Sequence, residues 1–330
     1  MIPQDLAEGI RAAIRLHSMS RRTEKAYMYW IRRFIDHHNG RHPREMSSGE
    51  IGAFLTHLSD IDHVAAATHN AALDALLFLY RTVLGLSQFS IDGIARTRRR
   101  RKPPVVFTRE EVGSILAQLS GVHWLVVALL YGSGLRLAEC LTLRVRDVDF
   151  AGGHILVRDA GMKVIRRTIL PASLIEPLRA HLRSVRAMYL NDLDEGHAGA
   201  PLPDADDAHS SDQPGWAWQY VFPATRCTRD EGTGTLVRRH LDRSVPQRAV
   251  KDALRAIGLA KQGSPHALRH SFAAHLLESG VPVDRVQELL GHRNTRTTMR
   301  YAHVTGERCP AVSSPLDGIH GTWPGGMANA

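Results

Sequence analysis

Tyr301 lies in the stretch "LLGHRNTRTTMRYAHV", residues 289–304, nine residues after His292. A tyrosine hydroxyl becomes a nucleophile when it loses its proton, and with an ordinary pKa of about 10 it needs nearby cations to do so. Two other stretches offer cations. "SPHALRHSFAAHLLESG", 264–280, carries His266, Arg269 and His270, which share a face at a helix start because residues three and four apart are neighbours. "GSGLRLAEC", 132–140, sets Arg136 after glycines that let the chain turn sharply and expose a helix N-terminus. Arginine is planar, always charged and suited to bidentate contact with phosphate. Two guanidiniums can neutralise the charge that builds on the nonbridging oxygens of a phosphodiester in transfer, with no metal, while a tyrosine attacks phosphorus. The ester energy stays in the phosphotyrosine, so rejoining needs no ATP and no cofactor is implied.

Blander readings stand beside this one. Tyr301 alone is a packing aromatic, and Arg136 alone is an ion-pair partner for Glu139. His266 and His270, four apart, have the spacing of a metal pair, but the metalloprotease pattern needs Glu after the first His and Ala267 stands there, so no metal is expected. Cys140, Cys227 and Cys309 are widely spaced, without metal or disulfide pattern. There is no Gly-rich phosphate loop with its lysine, which argues against nucleotide hydrolysis.

The elements that must position these residues follow from hydrophobic period. Leu6, Ile10 and Ile14, then Tyr27, Trp30, Ile31 and Phe34, then Ile51, Phe54, Leu55 and Leu58, then Leu73, Leu76, Leu77, Tyr80 and Leu84 mark four amphipathic helices over residues 4–90. Ser20 or Thr23 can cap the second, whose start carries Arg21, Arg22 and Lys25, well placed for phosphate contact. "GIARTRRRRKPPVVF", 93–107, has six basic residues, no acid and a Pro-Pro pair, the composition of an exposed linker; Arg98, Arg99, Arg100, Arg101 and Lys102 can lie on a phosphate backbone. Beyond it Thr108 caps a helix with Glu111 at capping-box spacing. Two helices broken at Gly132–Gly134 follow, then a β-rich hairpin, "HILVRDAGMKVIRRTIL", turning near residues 160–162. Helices are expected again at 171–190, 241–257, 268–279 and 283–290.

Residues 191–215 hold seven acids, no Lys or Arg and many breakers, so they read as an insertion turned away from phosphates. "WAWQYVFPA" follows; Trp216 and Trp218 suit docking or base stacking. The divisions are 1–92, a helical DNA-binding domain; 93–107, the linker; 108–310, a catalytic domain; and 311–330, a Gly-, Pro- and Ser-rich tail expected to be flexible. The 330-residue chain has a net charge of +9, which favours a polyanionic partner, nucleic acid first. Its longest apolar run, "WLVVALLY", is too short to span a bilayer, and its start lacks a signal-peptide core, so a cytoplasmic, nucleoid-associated protein is expected.

The boxes "GSGLRLAECLTLRVRDVDF", "HALRHSFAAHLLESG" and "LLGHRNTRTTMRYAHV", in this order, resemble the signature boxes of the tyrosine recombinases. "RTEKAYMYWIRRFIDHH", "WAWQYVFPA", "VRRHLDRSVPQRAVKDA" and "SSPLDGI" extend the likeness to the integron integrases over roughly residues 5 to 320. The resemblance implies a mainly α fold with a small antiparallel β-sheet, built as a two-domain C-shaped clamp around DNA. It gives Arg136 and Arg269 the scissile phosphate to hold, His266 and His292 hydrogen bonds to it, Tyr301 the attack, and Glu139 and His270 supporting places. It implies a homotetramer on DNA, with the region after Tyr301 packing on a neighbouring protomer. The substrates would be a duplex attachment site and a folded single-stranded cassette site, with bases held by the aromatic segment. Two alternatives are a phage-type integrase or dimer resolvase of the same chemistry, and a DNA-binding relative with impaired catalysis. The second arises because the family's hairpin reads roughly Asp-Gly-Lys-Gly, and its lysine, the acid for the leaving 5′-oxygen, falls here on Gly161. Lys163, two residues on and hence on the same strand face, is the candidate substitute.

Overall fold

The computed structural model describes residues 2–17, 19, 21–86, 104–159, 161–201, 215–230, 233–261, 263–291 and 312–319. The chain divides into two compact units, Met1–Lys102 and Pro103–Ala330. The fold is mainly helical with small antiparallel sheets, as the sequence leads one to expect. Among the described residues no helix is long and apolar enough to cross a membrane.

In the first unit, α1 (Gln4–Leu16), α2 (Arg21–His37), α3 (Ser48–Asp60) and α4 (Ala66–Phe78) bury the stripes read from the sequence: Ile10, Ile31, Phe34, Ile51, Leu58 and Leu76 are fully enclosed. Helix α4 runs on through a wider turn, Leu79–Val83, which drives Tyr80 into the core. The Tyr80 hydroxyl donates to the carbonyl of Pro43, so the buried polar tip is satisfied. Ser47 caps α3 in a capping box with Glu50. Thr23, expected as a possible cap of α2, lies inside that helix, whose first residue is Arg21.

The second unit is organised around α6 (Gly121–Gly132), in which every residue from Trp124 to Gly132 is buried. A helix that is apolar all round belongs at the centre of a domain. It is surrounded by α5 (Arg109–Ala117), α7 (Leu137–Leu141), α8 (Ile175–Asp194), α9 (Ser244–Ala256) and α10 (Pro265–Glu278), with α11 (Val283–Leu290) against α10. Thr108 caps α5 and Glu111 returns the capping-box bond, as its spacing predicts. Strands β1 (Val148–Asp149), β2 (His154–Arg158) and β3 (Val164–Ile169) form an antiparallel sheet in that order, and β4 (Thr228–Arg229) pairs with β5 (Leu236–Val237). Helix α10 starts at Pro265, earlier than apolar periodicity indicates, because proline suits a first helical position.

Two expected boundaries shift. Residues 93–103 of the linker lie outside the described residues, but Phe107 is wholly buried and its N–H donates to Ser271 Oγ at 2.8 Å. The end of the basic stretch is thus part of the second unit's core. Within the tail expected to be flexible, residues 312–319 are packed on the same unit. Leu316 is buried, Ser314 Oγ donates to the Gly132 carbonyl at 2.7 Å, and the Asp317 carboxylate accepts from the Ser173 N–H at 2.9 Å. "SSPLDGI" carries one leucine and one aspartate that suit a waiting apolar slot and a waiting pair of N–H groups, a match that composition hides.

Candidate active site

The turn after α6 sets the site. Gly134 has φ +62°, and a Cβ there would lie 2.4 Å from the Phe272 ring. Only glycine lets this turn press against α10 while its backbone runs left-handed. The next turn places Arg136 at the N-cap of α7, where its N–H donates to Glu139 Oε2 at 2.7 Å and its guanidinium to Glu139 Oε1 at 2.7 Å. The Arg136 side chain keeps 42% of its surface exposed, so it presents a charge to solvent from a held base.

Arg269, on α10, is buried. Its guanidinium donates to the carbonyls of Gly134 and Leu290 and stands 3.7 Å from Glu139 Oε2. Arg166 on β3, buried too, makes a bidentate pair with Glu139 at 2.8 and 2.7 Å, and its Nε donates to the Leu289 carbonyl at 2.8 Å. Glu139 therefore ties together the α6–α7 turn, the hairpin and the C-terminal end of α11. Burial alone would push its carboxyl up, but hydrogen bonds and charge from Arg166, then those from Arg136, hold it down at about 2. Two guanidiniums on the last carbonyls of α11 also satisfy groups that a helix end leaves without partners. Gly291 then ends α11 with φ +64°, and a Cβ there would meet Arg166 Cδ at 2.8 Å.

His266 is exposed on the first turn of α10 and His270, half-buried, follows one turn on. The structure brings together Arg136, Arg269 and Glu139. His292 and Tyr301 lie outside the described residues, though Gly291 fixes where the chain leaves α11 toward them. His275, which sequence alone leaves as an ordinary residue, is buried with Nδ1 2.7 Å from the Tyr131 hydroxyl; burial, then the charge of Arg109, pushes its imidazole down to about 4.

The hairpin tip corrects one expectation. Gly161 and Lys163 do not share a strand face, because β3 begins only at Val164, and the Asp159 N–H donates to the Lys163 carbonyl at 3.0 Å to close the hairpin before it. Met162 has φ +61° where the family pattern carries glycine, so the turn keeps the backbone that glycine favours without the glycine. Lys163 is exposed, and its N–H is held by Asp159 Oδ1 at 3.0 Å. At Gly161 an added Cβ meets nothing nearer than Asp159 Oδ1 at 3.6 Å, an ordinary contact.

Arg22 and Lys25 are exposed on the first turn of α2, while the Arg21 side chain and all of Arg98, Arg99, Arg100, Arg101 and Lys102 lie outside the described residues. Trp216 and Trp218 form a short 3-10 turn, half-buried on their own unit. Trp216 stands 6.0 Å from the Tyr189 ring, and the Arg146 guanidinium lies 4.3 Å over Trp218. Arg144, buried, stacks 3.7 Å over Tyr220 and donates to the Trp218 carbonyl at 2.7 Å. A cavity of about 710 Å³ opens between this segment, α7 and the hairpin, lined among others by Glu139, Arg144, Arg158, Met162 and Tyr220. Sequence reasoning missed Arg166, Arg144 and Arg158. The alternation of "VIRRTI" signals that one arginine of its pair faces inward, but only the register, Arg166 opposite Val157, says which.

Comparison with known proteins fits this geometry. Residues 106–308 match the Phage integrase family and residues 6–88 match the Phage integrase, N-terminal SAM-like domain. The first match spans Arg136, Glu139, Lys163, His266, Arg269, His270, His292 and Tyr301. The chain belongs to the phage integrase family, the tyrosine site-specific recombinases. It is 42% identical over 313 residues, 94% of this chain and 93% of the relative, to an integrase/recombinase of Escherichia coli, and equally to one of Pseudomonas aeruginosa. Tyrosine recombinase XerA of Thermococcus kodakarensis is 29% identical, with 92% of this chain and 93% of that protein covered. In fold, the chain resembles the XerH site-specific recombinase bound to palindromic difH substrate, TM-score 0.60 at 19% identity, covering 89% of this chain and 79% of that one. It also resembles a lambda integrase (75-356) dimer bound to a COC′ core site, TM-score 0.60 at 18% identity, covering 95% and 99%.

Proposed function

We propose that this recombinase is an integron integrase, which cleaves and rejoins DNA through a 3′-phosphotyrosine to move gene cassettes. In this reading Tyr301 attacks the phosphorus, Arg136 and Arg269 neutralise the nonbridging oxygens, and His266 and His292 hydrogen-bond them. The 5′-oxygen leaves with a proton from Lys163. Glu139 and His270 hold the clamp in place. The observation that carries the chemistry is the convergence of Arg136 and Arg269 on one half-buried carboxylate, Glu139, beside a turn that tolerates only glycine. Positions set this rigidly give preorganised charge where a transition state needs it. Arg166 joins the same carboxylate from β3 and couples the hairpin, whose turn carries Lys163, to the clamp.

Arg21, Arg22, Lys25 and the run from Arg98 to Lys102 hold the duplex backbone, and four protomers assemble on two sites. Cassette specificity is assigned to the segment of Trp216 and Trp218. Its support is the open cavity beside it, lined by Arg144, Arg158 and Tyr220, which has room and guanidinium donors for a base turned out of a hairpin. A cytoplasmic place, at the nucleoid, follows from DNA as the partner.

The test is covalent trapping. Attachment-site DNA nicked just past the scissile phosphate is incubated with the protein and with Tyr301→Phe, then run on a denaturing gel. An adduct with the first alone supports the reading, and tight binding without adduct favours a catalytically impaired DNA-binding relative. Gly161 at the place of the family lysine is what gives that second reading its weight. Equal use of perfectly paired duplex sites on both sides would instead favour a phage-type integrase or dimer resolvase.

A further inference from the structure

Away from the phosphate clamp, three side chains of different donor chemistry meet at one corner of the second unit. Asp192 lies in the last turn of α8, His197 follows just beyond the helix, and Cys227 precedes β4. Asp192 Oδ1, His197 Nδ1 and Cys227 Sγ all lie within 4.8 Å of one another. The separations are 3.7 Å for Sγ to Oδ1, 3.6 Å for Sγ to Nδ1 and 3.6 Å for Nδ1 to Oδ1. Ligand bonds of about 2.3 Å to sulfur and about 2.0–2.2 Å to nitrogen and oxygen, at tetrahedral angles, put neighbouring donors about 3.4–3.6 Å apart. The three atoms therefore outline one face of a tetrahedron of the size zinc takes.

We infer that Asp192, His197 and Cys227 form a structural site for a divalent zinc-like cation, which clips the two ends of the insertion and aromatic segment together. Sulfur, imidazole and carboxylate in one tetrahedral face select a borderline-soft ion over magnesium or calcium. The carboxylate is already oriented. Arg238 donates to Asp192 Oδ2 at 2.5 Å and to Oδ1 at 2.6 Å, and the pair is nearly closed to solvent. Such outer partners fix ligand direction in metal sites, and here the arginine also offsets negative charge. Its own charge is a cost for a cation nearby, which the thiolate and Glu195 counter. Glu195, exposed, has Oε2 3.6 Å from His197 Nδ1, within a side-chain swing of the fourth position.

Binding exchanges the Cys227 thiol proton for the ion: one cation enters, one S–metal bond forms and one proton leaves to solvent. The clip has work to do in the fold. Trp216, Trp218 and Tyr220 lie between His197 and Cys227 in the sequence, and a cross-link between those two ligands lowers the entropy cost of closing the loop they bound.

The test uses the full chain, reduced, stripped with chelator and titrated with Co2+, then with Zn2+. One Co2+ per chain with a thiolate-to-metal charge-transfer band that Zn2+ abolishes is the expected result. Cys227→Ser should lose the band although Cys140 and Cys309 remain, and His197→Gln should weaken Co2+ binding at least ~10-fold. Binding of nicked attachment-site DNA, to which these residues do not contribute, reports whether each variant is folded. No band in the unaltered chain, or a band that survives in Cys227→Ser, overturns the site and leaves a hydrogen-bonded triad; neither result bears on Tyr301 or cassette use.

Discussion

The clamp around Glu139 and the tip of the β2–β3 hairpin belong to one proposed reaction, yet they are built in opposite ways. Around Glu139 each part is fixed from several sides: Gly134 has a ring against it, and Arg166 and Arg269 are buried and bonded to carbonyls of α11. At the tip, Lys163 is exposed, Gly161 has space around it, and Met162 holds a left-handed backbone. Stabilising charge at a transition state rewards rigidity, since donors that need not reorganise cost nothing at the moment of reaction. A proton donor that serves a leaving group on a bound strand tolerates a mobile seat, because the bound DNA completes its position. The difference teaches that the Glu139 cluster is set by the fold, whereas the proposed acid, Lys163, would take its place only on bound DNA.

That contrast can be broken at several points. The largest effect belongs to Arg166→Ala, which leaves the half-buried Glu139 beside fewer partners and is expected to cost about 3–5 kcal/mol of stability by urea unfolding, whereas Lys163→Ala should change it by less than about 0.5 kcal/mol. Next comes pH. The Glu139 carboxyl sits at about 2 in the fold, below its ordinary 4.5, so its contribution is complete above 4.5 and is lost as pH falls toward 2. On the order of 3 kcal/mol is involved, and the stability gap between the unaltered protein and Glu139→Gln should narrow between about pH 5 and about pH 2. Gly134→Ala is expected to cost about 2–4 kcal/mol, from its clash and its positive φ, while Gly161→Ala should stay within about 0.5 kcal/mol. The smallest effect is Met162→Gly, a gain of up to about 1 kcal/mol from relief of the left-handed residue. A thermal denaturation series on these variants checks all of the stability differences together.

The helical stripes of both units, the Thr108 cap and the need for glycine before Arg136 were legible because each is local: a period, a spacing, a conformational demand. Arg136, Glu139 and Arg269 were legible as a set only through their boxes, since nothing local joins residues 136 and 269. Arg166 was not, because two adjacent arginines on a strand face opposite ways and only register tells them apart. The parity that joined Gly161 to Lys163 failed because a strand rule was applied inside a turn. Asp192, His197 and Cys227 were hidden for a third reason: sequence spacing of cysteines says nothing when ligands of three kinds come from separate elements. The packed segment 312–319 was masked by a composition that also suits flexible tails.

The most direct measurement compares two leaving groups in Lys163→Ala. Intact attachment-site DNA is made with its usual 5′-oxygen, or with sulfur at that position, whose thiol ionises at a pKa of about 8.5 and leaves without a proton. If Lys163 is the acid of this active site, Lys163→Ala slows Tyr301-dependent cleavage of the oxygen substrate by roughly 100- to 10,000-fold and cleaves the sulfur substrate as the unaltered protein does. Equal slowing of both substrates, or no slowing of either, would contradict it.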